Sequence, residues 1–195
     1  QLSRGLGDVY KRQPLTGGMT AKEIEDGSVI FEDDNLKISA FKVFHEPIEP
    51  ALGYKFEYKD RVLVISGDTR YDSELIKSFK GADVLFCEVI SPDIVDRFIK
   101  VAEQQNDAKL KKILVDILDY HISPLDAVDL ANEAGVRHLV YYHLTPTLPT
   151  EIRFLSDKFF FAGVDEAIEN WTASTDGTMV VLPSNSKEIL ISEIN

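Results

Sequence analysis

Three short runs constrain this chain more than anything else in it: residues 61–66 (RVLVIS), 83–86 (DVLF) and 137–142 (RHLVYY). Each is almost continuously apolar, without in–out alternation, which is how strands covered on both faces read. Between the first and second lies an amphipathic helical stretch, roughly 73–80. Before the third, Ser123-Pro124 opens a helix that runs to Ala134, where Gly135 closes it. Strand, turn, helix and strand in that order form a βαβ unit, which calls for parallel pairing and a right-handed crossover. The expected fold class is α/β.

The remaining segments fit around that unit. Thr20 can cap a short helix over 21–26 that Gly27 ends, and 28–32 and 36–44 read as strands joined at Asp33-Asp34-Asn35. Residues 54–58 (YKFEY) and the RVLVIS run make a hairpin across Lys59-Asp60. A Lys- and Asp-rich helical stretch spans 92–119 with a break near 105–107. Residues 151–170 are expected to be partly helical, and 178–182 and 188–192 to form a closing strand pair. Residues 1–13 (QLSRGLGDVYKRQ) follow neither period and are expected to be a non-native leader, with 14–195 forming one unit. Localisation stays open, cytoplasm and periplasm alike.

Open α/β sheets place their chemistry at the C-terminal ends of strands. His45 ends the 36–44 strand, Asp68 follows RVLVIS, Glu88 follows DVLF, and His143 follows RHLVYY; His121 stands just ahead of the helix at Ser123. Taken singly, each has a structural explanation: Asp68 can cap a turn, and Glu88 can serve as an acid near a helix start at Pro92. His138, inside its strand, is assigned nothing. Taken together, three of four histidines and an aspartate fall at one end of successive strands. The single cysteine, Cys87, excludes an internal disulfide and a Cys-rich zinc cluster, so a metal here would use imidazole and carboxylate ligands. Such a set suits zinc and metal-assisted hydrolysis, in which a water acidified to a pKa of about 7 supplies hydroxide.

The segment from Phe44 through SGDT, followed by residues 121–143 (HISPLDAVDLANEAGVRHLVYYH), resembles the C-terminal half of a metallo-β-lactamase-fold hydrolase of the ribonuclease Z-like branch. The resemblance covers roughly residues 27–149. It implies an αββα sandwich, truncated at its N-terminus, and a dizinc hydrolase in which His45 holds one zinc, His143 the other, and Asp68 bridges both. His121 matches the His of the family's His-Ser-Thr-type motif, beside the scissile phosphate, and Glu88 the Glu that orients or protonates it. Around Glu88 the chain reads Cys87-Glu88-Val89-Ile90, so only the Glu of the family's His-Glu-Ala-Thr stretch is kept. The family's HxHxDH motif is absent, and no histidine precedes His45. Three ligands over two ions should bind zinc weakly and support little activity in this polypeptide.

The family acts on tRNA 3′ extensions, other phosphodiesters, sulfate esters and small esters, so the fold leaves the substrate open. Charge then enters the argument. With 33 acidic against 21 basic residues the chain is at −12, which disfavours tRNA and favours a small-molecule ester, sulfate ester or phosphodiester. Lys109, Lys111 and Lys112 form the only compact basic cluster along the sequence. The runner-up readings are a tRNA 3′-processing endoribonuclease and a degenerate, non-catalytic binding module. No apolar run is long enough to cross a membrane. Strands apolar on both faces, short of cover in a truncated sandwich, are expected to favour poor solubility or self-association, for instance as a homodimer.

Overall fold

A computed structural model describes residues 22–147 and 158–194. Seven strands form one mixed sheet in strict sequence order. They are β1 (Val29–Glu32), β2 (Leu36–Val43), β3 (Ala51–Tyr58), β4 (Arg61–Ile65), β5 (Val84–Ile90), β6 (His138–Thr145) and β7 (Trp171–Ala173). The first four pair antiparallel, through short turns at 33–35 and 59–60 and a seven-residue loop over 44–50. From β4 onward pairing is parallel, through crossovers that contain α1 (Leu75–Phe79) and α4 (Pro124–Ala134). The βαβ expectation therefore holds at both predicted units. A helical hairpin, α2 (Pro92–Gln104) and α3 (Ala108–Asp116), leaves the end of β5, and a two-stranded ribbon, β8 (Thr178–Val181) with β9 (Leu190–Glu193), closes the chain.

Alternate residues of β2, β4, β5 and β6 send Phe41, Val43, Val64, Leu85, Cys87, Val89, Leu139 and Tyr141 into one core. That core is covered by Leu75 and Phe79 of α1 and by Ala127, Val128, Leu130 and Ala131 of α4. Helix α4 starts where local chemistry dictates. Ser123 Oγ accepts the Asp126 N–H at 3.2 Å and Pro124 occupies the first turn. Burial is tight enough to select residue size: a Cβ at Gly53 would lie 2.6 Å from the Ser66 carbonyl oxygen and overlap the Phe41 ring.

At the end of the sheet away from the helix starts, Asp83 is held between two arginines. Arg61 Nε lies 3.4 Å from Asp83 Oδ2, and Arg137 pairs with Oδ1. The same guanidinium groups donate to the carbonyls of Ser186, Lys187 and Glu188, tying the ribbon to the sheet.

Three expectations change. The 21–26 helix is absent over its described residues: 22–25 are irregular and Asp26-Gly27 forms a turn. Ser28 Oγ accepts the Glu25 N–H, and Asp26 Oδ1 accepts the Lys42 N–H from β2, so side chains capture the backbone groups a helix would use. Strand β7 had no sequence signal, being three residues long and paired only along β6. Glu88 and His143 lie within β5 and β6 rather than beyond their ends, because both strands run three or four residues further than the apolar runs. Of the stretch 151–170, Val164–Ala167 is helical, while 151–157 lies outside the described residues, as do 1–13.

Candidate metal and catalytic site

Five segments, those bearing His45, Asp68, Glu88, His121 and His143, meet at the C-terminal ends of β2, β4, β5 and β6. The loop after β4 turns at Gly67, whose φ is +67°, a conformation in which an added Cβ would also lie 2.7 Å from the Leu52 carbonyl oxygen. That turn presents Asp68. The next residue, Thr69, is fully buried and works as a joint. Its hydroxyl accepts the Phe44 N–H at 3.0 Å, one residue before His45, and its own N–H donates to Glu88 Oε1 at 3.0 Å. The Arg70 N–H adds a bond to the Phe44 carbonyl at 2.8 Å. Thus the segments bearing His45, Asp68 and Glu88 are pinned to one another through backbone groups.

Asp68 is the centre of the cluster. Its Oδ1 lies 2.8 Å from His143 Nδ1 and its Oδ2 lies 3.9 Å from His45 Nε2. Ligand atoms of His45, Asp68 and His121 all fall within 4.8 Å of one another. The structure therefore gathers the predicted metal residues and the predicted catalytic His121 at one place, with a difference in detail. His121 joins His45 and Asp68 in the convergent trio, while His143 is bonded directly to Asp68. Two or three imidazoles and a carboxylate whose oxygens face different histidines make a donor set that fits zinc.

His143 reaches Asp68 through an irregularity. Tyr142 is opposite Glu88 and Leu144 opposite Val89, so His143 is an extra residue in β6, at φ +46°. This β-bulge turns its side chain out of the ordinary alternation.

Glu88 is completely buried, and its Oε1 takes three groups: the Thr69 N–H, the Ile122 N–H at 3.3 Å, and His121 Nδ1 at 3.0 Å. Burial raises its pKa, against the lowering effect of His121 and the Thr69 N–H. For His121, burial works to lower the pKa, but the hydrogen bond and charge of Glu88, with the charge of Asp68, outweigh it and hold the pKa above the ordinary histidine value. With Nδ1 committed to a carboxylate, Nε2 is the nitrogen left to act. Among the side chains, exposure rises from Glu88 and His121 (0% and 8%) through His45 (16%) to Asp68 and His143 (40% and 49%), so the cluster is open to solvent over Asp68 and His143.

The sequence reading missed Tyr120, whose ring lies 4.7 Å from that of His45 and 5.1 Å from that of His121. Its position directly before His121 was the available signal. The alternative of Glu88 as a helix-start acid is corrected: its Oε1 is taken by Thr69, His121 and Ile122, its Oε2 is buried without a hydrogen-bond partner, and the Ser91 cap of α2 makes no side-chain bond.

The sequence profile of the beta-lactamase superfamily domain matches residues 2–144. The chain belongs to the beta-lactamase superfamily. Within it, this member is 34% identical over 127 residues to the ribonuclease Z of Mycolicibacterium paratuberculosis, covering 65% of this chain and 41% of that protein. It is 32% identical over 127 residues to the ribonuclease Z of Mycolicibacterium gilvum, covering 65% of this chain and 40% of that one. The chain thus spans about two fifths of the length of these curated relatives. Among solved structures, Igni18, a metallo hydrolase of Ignicoccus hospitalis, superposes with a TM-score of 0.50 at 12% identity, over 97% of this chain and 66% of that one. The superfamily's metallo-β-lactamase fold is the fold expected from the sequence. Of its αββα layers, the described residues supply a helical layer, the seven-stranded sheet and the small ribbon.

Proposed function

We propose that this chain carries the C-terminal part of a metal-dependent phosphodiesterase acting on RNA, as the ribonuclease Z relatives do by name. The observation that carries this reading is the convergence of His45, Asp68 and His121 on one point, with His143 on the second oxygen of Asp68. His45, Asp68 and His143 would hold zinc, two ions being the family's complement. Bound there, zinc supplies Lewis acidity toward water and the phosphoryl oxygens.

The protein's own groups do the rest. Asp68 orients both flanking histidines through its two oxygens. His121 carries its Nδ1 proton toward Glu88 and, when charged, presents Nε2–H to the scissile phosphate, where it offsets developing charge or protonates the leaving oxygen. Glu88 favours that charged form. Tyr120 and the buried side of His121 keep water from the rear of the site. A phosphodiester suits a site that must meet an anion with a cationic imidazole, and the relatives direct the choice to RNA. The net charge of −12 favours a small ester or sulfate ester instead.

The test offers a zinc-loaded full-length protein containing this chain a chromogenic phosphodiester, an aryl sulfate and an RNA with a 3′ extension. Cleavage of the RNA and the phosphodiester, lost in Asp68→Asn and reduced about 10²–10⁴-fold in His121→Gln, is the expected result. Hydrolysis of the aryl sulfate alone would move the reading to small sulfate esters. Turnover unaltered by Asp68→Asn would end the assignment.

A further inference from the structure

Behind the convergence of His45, Asp68 and His121 stands a second layer of partners. Glu88 Oε1 takes His121 Nδ1 at 3.0 Å, and Glu88 is itself fully buried and pinned by the Thr69 and Ile122 N–H groups. Imidazoles that bind metals almost always engage a carboxylate or carbonyl through the opposite ring nitrogen, which fixes the tautomer and aims the other nitrogen at the ion. His121 has this arrangement already in place, with Nε2 as its available ligand atom.

Packing holds this imidazole and that of His45 together. The two rings meet edge to face at 5.2 Å, and Tyr120 closes the triangle, 4.7 Å from His45 and 5.1 Å from His121. A ligand pair fixed in this way is set before an ion arrives. Charge agrees with that reading. Asp68 and Glu88 are paired with histidines, and no Lys or Arg forms an ion pair with either among the described residues, so a divalent cation would balance the two carboxylates.

His143 differs on each count. It stands outside the one group of three histidine, cysteine or acidic ligand atoms that falls within 4.8 Å among the described residues. Its Nδ1 is turned to Asp68 Oδ1 at 2.8 Å, and its side chain is half exposed. The two nitrogens of an imidazole point in divergent directions, so its Nε2 faces away from the carboxylate that the other two histidines share.

We propose that this chain by itself holds a single zinc ion through His45, Asp68 and His121, with His143 outside the ligand set. This rests on the metal-dependent reading above and departs from the sequence expectation, which gave a ligand position to His143 and none to His121. One nitrogen cannot both hold an ion and carry a proton to a phosphate. His121 therefore serves as a ligand in this chain, which has no HxHxDH histidines, and is released to meet the substrate in a protein that supplies them. Two imidazoles and one carboxylate leave the fourth corner of a tetrahedral ion open.

The experiment titrates Co²⁺ into this chain and follows its visible absorption, with circular dichroism checking the fold of each variant. His121→Gln should weaken binding about a hundredfold and Glu88→Gln about tenfold, while His143→Gln stays within about threefold of wild type. Wild-type affinity in His121→Gln, a loss in His143→Gln as large as that in His121→Gln, or no binding by the wild-type chain would overturn the proposal. Where a variant does not fold, the wild-type chain decides alone. On adding Zn²⁺, the ring ¹⁵N resonances of His45 and His121 should move to values of metal-bound imidazole and those of His143 should not; metal-bound values at His143 and not at His121 would overturn it. Cleavage assays on the full-length protein decide the phosphodiesterase reading separately, so either can fail without the other.

Discussion

His143 Nδ1 lies 2.8 Å from Asp68 Oδ1, and it gets there from the one bulged position of β6. Both partners depend on uncommon backbone: His143 at φ +46° and Asp68 directly after Gly67 at φ +67°. Their meeting is set by main-chain shape before any ligand is considered.

Gly67→Ala tests the Asp68 side of that pairing. The added methyl must adopt a left-handed conformation and meet the Leu52 carbonyl at 2.7 Å. A loss of roughly 1–3 kcal/mol in urea unfolding is expected. A drop in zinc affinity larger than the stability loss explains should accompany it, because the loop that aims Asp68 has to move. Unchanged zinc titration in a folded variant would count against the role given to this turn.

Glu88→Gln tests the support of His121. In the metal-free protein the His121 pKa, raised above its ordinary 6.5 by Glu88 despite burial, should fall when the carboxylate becomes an amide, as NMR titration would show. The linkage sign follows. A raised histidine pKa contributes stability fully present below about pH 6.5 and lost as pH rises through the folded-state value. Wild type should therefore lose stability on going upward from pH 6.5, and the variant should have a flatter profile in that window.

Asp83→Ala tests the scaffold without touching the site. Arg61, 3% exposed, would keep its charge and lose its carboxylate partner, at a cost of about 3–5 kcal/mol. The ribbon residues 186–188 should gain amide exchange as their arginine anchors loosen. Zinc affinity, measured where the variant is folded, should remain that of wild type.

Zinc itself should raise the melting temperature of this chain, with Asp68→Asn and His45→Ala each removing the effect. At a hundredfold excess over Kd the gain is about 2.7 kcal/mol. Reaching that excess should require high zinc, since three donor atoms within 4.8 Å are fewer than a closed four-ligand site supplies. Chelator should leave the far-ultraviolet spectrum intact, because the Phe79–Leu139 core is packed without metal.

What could be read in the sequence was what local chemistry decides. Ser123 and Pro124 start α4, Lys59-Asp60 turns the β3–β4 hairpin, and the apolar runs become the parallel strands. The site residues His45, Asp68, Glu88, His121 and His143 were legible as a set through their order along the chain. Their mutual geometry was not. Glu88 meets His121 across 33 positions, and the His143 bulge has no sequence signature. The helix expected over 21–26 failed for the opposite reason. Its propensity was local, and the partner that overrode it, Lys42, lay on another strand.

The bulge at His143 has a consequence for how such a site can change. With that residue skipped, β6 keeps its alternation: Leu139, Tyr141 and Leu144 all pack toward the helices. The folding pattern thus does not count the position that carries the imidazole. A different side chain there would leave the inward face of the strand as it is, so the chemistry can be exchanged while the sheet stays the same.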